Sequence, residues 1–238
     1  MKKILLIIVS VSLYFVISNA ELFAQDTGNQ STETKYTARD IYPFGVGLAI
    51  SFKGGVNTMD PPDGVKNDYV FTAMPDIGAQ VYLPFGTENN MGIVFDLAYL
   101  SFPYKFKLYG QEDVNWLDKV SYFAIAPNFH LSGFMIGFNF CFPLAASSDN
   151  QVSGKSYTYN YQKDNMKFII DAHIGALIPL INTETGRFNL LIQAEYALSD
   201  IFENDLITKN PQQEFNIQPV AIKFGLSYIF NTSLLQKQ

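Results

Sequence analysis

Four groupings of residues in this chain have types and spacings that could support chemistry. His130-Leu131-Ser132 sets an imidazole two residues from a hydroxyl. In an extended strand both side chains fall on one face, as a base and the serine it activates require. Asp171 and His173 share that spacing and could form a carboxylate–imidazole pair. Asp60-Pro61-Pro62-Asp63-Gly64 gathers carboxylates at a tight turn, but without the ligand spacing of an EF-hand loop. The fourth grouping is dispersed: Lys53, Asp76, Asp96, Glu195 and Lys223 each stand alone in an otherwise uncharged stretch. Two histidines and the single Cys141 make neither a metal centre nor a disulfide, so no metal and no cofactor is expected.

Whatever these groups do depends on the elements that hold them, and composition narrows those. The chain has 238 residues, of which 48% are hydrophobic, 15% aromatic and only 16% charged. A water-soluble domain carries roughly 25% charged residues, so much of this surface must face something other than water. A formal charge of −6, with no basic run beyond Lys2-Lys3, argues against nucleic acid as a partner. Met1-Lys2-Lys3 followed by an apolar run over 4–17 is too short for a comfortable membrane helix and reads as an export signal. Cleavage is expected after Ala24, with Ala20 as the second candidate. Removing 1–24 takes away Lys2, Lys3 and Glu21 and leaves a formal charge of −7. Residues 25–40 are polar without an apolar period and are expected to form a flexible lead-in.

From Tyr42 onward the hydrophobic period is two. Val46, Leu48, Ile50 and Phe52 share one face and Gly45, Gly47, Ala49, Ser51 and Lys53 the other. The pattern recurs over 42–53, 69–83, 91–99, 120–131, 134–142, 168–178, 188–198 and 220–230, eight segments in all, with the fourth the least secure in register. Each is long enough for a tilted membrane strand of about 9–11 residues. The second face decides between a soluble sheet and a membrane barrel: it is mainly Gly, Ala, Ser, Asn and Gln, which suits a narrow lumen, while the Phe/Ile/Leu face suits lipid. Long polar connections (54–68, 103–118, 143–165, 199–216) alternate with short ones (84–90, 132–133, 182–187), as extracellular loops alternate with periplasmic turns. Aromatics gather at both expected rims, Phe52, Tyr69, Tyr99, Phe142 and Phe168 at one, Tyr42, Phe129, Phe134, Phe188, Tyr228 and Phe230 at the other. The expected fold is all-β, an eight-stranded antiparallel up-and-down transmembrane β-barrel over 41–231, with a short tail over 232–238.

The segments Leu22-Phe23-Ala24-Gln25, Met74-Pro75-Asp76-Ile77-Gly78-Ala79-Gln80-Val81-Tyr82-Leu83-Pro84 and Phe224-Gly225-Leu226-Ser227-Tyr228-Ile229-Phe230 carry a resemblance. With them the mature chain resembles the small eight-stranded outer-membrane barrels of Gram-negative bacteria, the OmpA/OmpX architecture, and in particular the outer-membrane β-barrel domain proteins common in Bacteroidota. Eight residues follow Phe230, where such barrels often end on the aromatic that the assembly machinery reads. The resemblance implies an outer-membrane location, contact with outer-membrane lipid and the assembly machinery, and a monomer; it specifies no reaction and no extracellular partner.

On that architecture Lys53, Asp76, Asp96, Asp171, His173, Glu195 and Lys223 face inward, with Gln80, Asn128, Asn139, Gln193 and His130, and are expected to form a polar network that fills the lumen. Trp116 and the alternating Tyr157, Tyr159 and Tyr161 are candidate loop contacts, the tyrosines on a hairpin that continues above the membrane. The His130–Ser132 pair is superficially similar to that of lipid A deacylase barrels, but it falls at a short periplasmic turn, away from outer-leaflet lipid. The expected function is therefore a non-enzymatic structural or surface-interaction role through long loops; a lipid-modifying enzyme and a narrow channel are the alternatives.

Overall fold

A computed structural model describes residues 44–72, 74–85, 91–152, 154–183, 185–203 and 216–231. The expected signal peptide, lead-in and C-terminal tail lie outside the described residues. The strands are β1 (Gly45–Asn57), β2 (Val65–Asp68), β3 (Val70–Phe71), β4 (Asp76–Pro84), β5 (Met91–Leu108), β6 (Gln111–Leu131), β7 (Phe134–Val152), β8 (Lys155–Tyr161), β9 (Ile169–Asn182), β10 (Gly186–Ala197) and β11 (Pro219–Asn231). Eight of them, β1, β4, β5, β6, β7, β9, β10 and β11, form an antiparallel ring in chain order. The ring closes where β11 pairs with β1, from Gly45 opposite Asn231 to Asn57 opposite Pro219. Closure leaves no sheet edge at membrane depth, the condition a strand-built membrane protein must meet.

The alternation in the sequence becomes an inside and an outside. Val46, Leu48, Ile50 and Phe52 on β1 are outward and exposed, as are Ile77 and Leu83 on β4, Phe123, Ile125 and Phe129 on β6, and Phe224, Leu226 and Phe230 on β11. Between the rims no outward position of these strands is charged. A continuous apolar belt of this kind would drive aggregation in water and is what a bilayer core requires. Aromatic pairs mark its limits, Phe142 with Phe168 (ring centroids 5.2 Å apart) at one rim and Phe188 with Tyr228 (4.5 Å) at the other. The fold is thus the architecture of the outer-membrane β-barrels.

Inside, the wall coils tightly enough that some positions admit no side chain. A Cβ on Gly175 of β9 would collide with the Ile192 carbonyl oxygen and the Gln193 side chain of β10. Gly175→Val is accordingly expected to lower the folded fraction sharply, read as loss of the fast-migrating unheated band on a heat-modifiability gel; a wild-type folded fraction would mean that the wall can relax.

Three features differ from the sequence reading. The second segment is not one strand: Val70 and Phe71 pair with β1, Thr72 donates its N–H to the Lys53 carbonyl, and β4 meets β5 only from Ile77 opposite Tyr99 onward. Pro75, which has no N–H to offer a ladder, sits in the break. The connections 103–118 and 143–165 are mostly strand, because β5 and β6 continue to a turn at Tyr109-Gly110 and β7 continues to Val152 before β8 returns. Between β6 and β7 the register slips at Leu144, since Tyr122 faces Pro143 and Ser121 faces Ala145. This bulge shifts the parity of β7, so that odd-numbered Cys141 is buried before it and even-numbered Ala146 and Ser148 after it. The uncertain fourth segment has Phe123, Ile125 and Phe129 outward and Tyr122, Ala124 and Asn128 inward. One rim is therefore tall, built of strand extensions, and the other short, with a two-residue turn at Ser132-Gly133 in which both residues have positive φ.

Candidate functional site

The barrel interior is layered. At the short rim Tyr82, Val94, Met135, Leu177, Leu191 and Ile229 form an apolar plug. Arg187 lies over the Tyr82 ring, 4.6 Å from its centroid, and His130 meets the same ring edge-on at 5.6 Å. At the tall rim a larger apolar cluster contains Leu100, Phe102, Tyr104, Tyr122, Ile169 and Phe202. Ile201 and Phe202, which follow β10, and Ile217, which precedes β11, enter it, and the Ile201 N–H donates to the Ile217 carbonyl (3.1 Å).

Between these plugs lies the polar layer. Lys53, fully buried, is 2.8 Å from Asp76 Oδ2 and 2.6 Å from Glu195 Oε2. Glu195 also pairs with Lys223, so the four groups form a chain, Asp76–Lys53–Glu195–Lys223, in which two carboxylates meet two ammoniums. Asp76 Oδ1 further accepts from the Ser101 N–H (2.7 Å) and hydroxyl (2.9 Å), which holds β5 where its ladder with β4 has ended. Asp96 accepts from the Gln80 amide (2.8 Å) and the Asn128 amide (2.9 Å). Asp171 accepts from the Asn139 amide (2.6 Å) and lies 3.7 Å from His173 Nδ1, while His173 Nε2 bonds Asn128 Oδ1. A cavity of about 30 Å³ lies among Ser51, Asp76, Gln80, Asp96, Asn139 and Lys223, room for roughly one water. The seven sequence-proposed lumen residues thus all sit in one layer, split between an ion-pair chain and an amide-bonded set.

Beyond the tall rim the wall rises as a five-stranded sheet in the order β2–β5–β6–β7–β8. One face packs over the barrel mouth. Trp116, a candidate loop contact, turns to this face and packs half-buried against the apolar cluster, and Tyr161 does the same with its ring 4.8 Å from that of Phe202. Tyr157 and Tyr159 remain more than half exposed. The opposite face carries Lys107 and Lys105 beside Asp68 (2.9 and 3.9 Å) and Lys119 beside Asp149 (2.6 Å).

Asp118 is buried in this upper sheet, and its Oδ1 lies 3.4 Å from the Tyr161 hydroxyl that donates to it. Burial pushes its carboxyl up to about 6. An unfolded chain has a carboxyl near 4, so between these values the folded form binds a proton that the unfolded form does not, and stability rises as pH falls through 6. Amide exchange in the β5–β6 and β7–β8 hairpins is expected to be better protected at pH 5 than at pH 7, once intrinsic rates are corrected, and Asp118→Asn to remove the difference. Equal protection at both pH values would mean that Asp118 is not the controlling group.

The other chemical candidates do not assemble. His130 points into the lumen against Tyr82, whereas Ser132 is exposed on the short turn at φ 47°. Among the described residues no group of three or more His, Cys, Asp or Glu side chains could hold a metal ion. Cys141 is buried in the upper cluster. Sequence reading missed the two apolar plugs and Arg187, although the inward positions Tyr82, Leu177, Leu191 and Ile229 were there to be read as bulky rather than small.

No protein-family model matches the sequence, and no curated protein matches it. Among solved structures the chain is similar to Ail, the attachment invasion locus protein of Yersinia pestis, solved with the heparin analogue sucrose octasulfate: 11% identity, TM-score 0.36, covering 79% of this chain and 99% of that one. It is similar to Neisserial surface protein A at 10% identity and a TM-score of 0.38, over 77% of this chain and 95% of that one. For the outer membrane protein OprG of Pseudomonas aeruginosa the values are 10% identity, TM-score 0.32, 79% of this chain and 96% of that one. The eight-stranded architecture itself rests on the chain's own closed register.

Proposed function

We propose that this protein is a non-enzymatic outer-membrane β-barrel, monomeric in the plane of its membrane, whose tall rim is a surface-interaction module. The observation that carries this reading is the division of labour along the barrel axis: the lumen is closed by two apolar plugs around a paired polar layer, while the wall continues past the lipid belt as a sheet with exposed tyrosines. Exposed tyrosines on a rigid sheet suit contact with another molecule. Barrels place their long connections outside the cell and their short turns in the periplasm, which makes the tall rim extracellular. The residues through which the chain would act are Tyr157 and Tyr159; the lumen set, Lys53, Asp76, Asp96, Asp171, His173, Glu195 and Lys223, is a closing network.

Four measurements test this reading. Detergent-purified protein should show different gel mobility before and after boiling and should sediment with outer membranes in fractionated cells. In planar bilayers it should not conduct. Lipid A from expressing cells should have an unaltered mass spectrum. Stable conductance would favour the narrow channel. A stoichiometric acyl loss abolished by Ser132→Ala would overturn the non-enzymatic reading.

A further inference from the structure

The outer edge of β8 has the geometry of an open pairing site. Val152 stands opposite Lys155 with two residues between them, and in antiparallel hairpins of that spacing the flanking pair exchanges both backbone bonds. Alternation then directs the N–H and C=O groups of Tyr157, Tyr159 and Tyr161 toward β7 and those of Ser156, Thr158 and Asn160 away from it. Among the described residues β7 is the only strand neighbour of β8, and positions 155–160 are all exposed. Natural edges are usually blunted by proline, a bulge or charge; from Ser156 to Tyr161 this one has none.

The edge is also its own complement. Ser156 and Asn160 flank Thr158 symmetrically, so a second β8 laid antiparallel about a two-fold axis at Thr158 matches every outward donor with an acceptor. Thr158 then faces Thr158, Ser156 faces Asn160 and Tyr157 faces Tyr159, the last an aromatic pair of the kind that favours strand pairing, while each Thr158 hydroxyl keeps its bond to Asp149 of its own β7 (2.8 Å). Lys155 falls opposite Tyr161, away from the second Lys155. Two identical edges close on each other only through such a two-fold.

We infer that β8 joins two copies of this chain held in facing membranes. Copies in one membrane share the component of β8 that descends toward the bilayer, and with a wall tilt of about 35–45° their strands cannot run antiparallel. Copies in opposed membranes can. A seven-residue ladder is a small contact, so many copies would act together across the gap. The inference rests on the extracellular orientation of the tall rim.

The experiment uses the full chain in two populations of phosphatidylcholine vesicles bearing different fluorophores. Protein-bearing vesicles are expected to cluster, and Thr158→Pro to abolish clustering while the protein remains heat-modifiable, because the N–H it removes points away from β7. Under oxidation Thr158→Cys should form dimers by itself in contacting vesicles, whereas Tyr157→Cys should do so only when mixed with Tyr159→Cys; the native Cys141 is buried. The inference is overturned if Thr158→Pro clusters normally, if Tyr157→Cys links to itself as well as Thr158→Cys does, or if Thr158→Cys dimerises in vesicles kept apart by dilution. Labelling of Thr158→Cys on intact cells by a membrane-impermeant maleimide reads the orientation separately. Absence of labelling defeats the orientation, and labelling without clustering defeats the pairing alone.

Discussion

Glu195→Leu is expected to destabilise the barrel by about 3–5 kcal/mol, the range for breaking a buried ion pair by removing one partner. Glu195 is the shared anion of the lumen chain, and its carboxylate holds both Lys53 and Lys223. Without it Lys53 keeps Asp76, but Lys223, almost fully buried, has no carboxylate within salt-bridge distance among the described residues. Lys223→Met removes the other end of the same link and leaves Glu195 with Lys53, so its cost should be smaller. Denaturant midpoints for the three proteins in identical lipid vesicles give the ranking. Trp116, the single tryptophan, packs on the upper cluster and supplies the fluorescence signal. Conductance of the Lys223→Met protein should change less than its stability; a large selective conductance with an unchanged midpoint would show that the lumen is a regulated pore and not a closed network.

Phe102→Ala should cost a comparable amount, about 3–5 kcal/mol, the usual range for truncating a fully buried phenylalanine. Phe102 is 1% exposed, stacks edge-on with Tyr122 at a centroid distance of 5.7 Å, and lies under the Lys53 ammonium, which is 4.6 Å from its ring centre. It is therefore the joint between the polar layer and the upper plug, and its loss removes packing from one and a cation–π contact from the other. Phe102→Leu, which keeps most of the volume, should recover most of the stability but not the cation–π contribution. If Phe102→Ala unfolds at the wild-type midpoint, the upper cluster is not a load carried by the fold and the closed-lumen reading weakens.

Much of the fold was legible because a strand in a barrel wall repeats every two residues. Val46, Leu48, Ile50 and Phe52 declare lipid on one side, and Lys53, Asp76, Asp96, Asp171, Glu195 and Lys223 declare the other, since none of them could be left in hydrocarbon. The alternation of long and short connections likewise gave strand number and the side of each turn. Less legible was where strands stop. Residues 103–118 and 143–165 read as polar loops because an extramembrane sheet has no lipid-facing side and so loses the apolar half of the pattern; only the alternating tyrosines at 157–161 betrayed a hairpin. The break before β4 and the bulge at Leu144 were invisible for a different reason, since each depends on what the neighbouring strand offers at that height.

Which side chain meets which inside the lumen was decided by tertiary structure alone. Sequence placed Asp76, Asp96, Asp171 and Glu195 on the inward face but could not assign two lysines among four acids. Closing β11 onto β1 sets Lys53 directly opposite Lys223, and Glu195, on β10 beside β11, reaches both. Asp96 and Asp171, on β5 and β9, fall beside amides instead. Side-chain alternation is local, set by the pleat of one strand, and so it is written in order along the chain. Pairing across a lumen depends on ring closure and stagger, which are properties of all eight strands together.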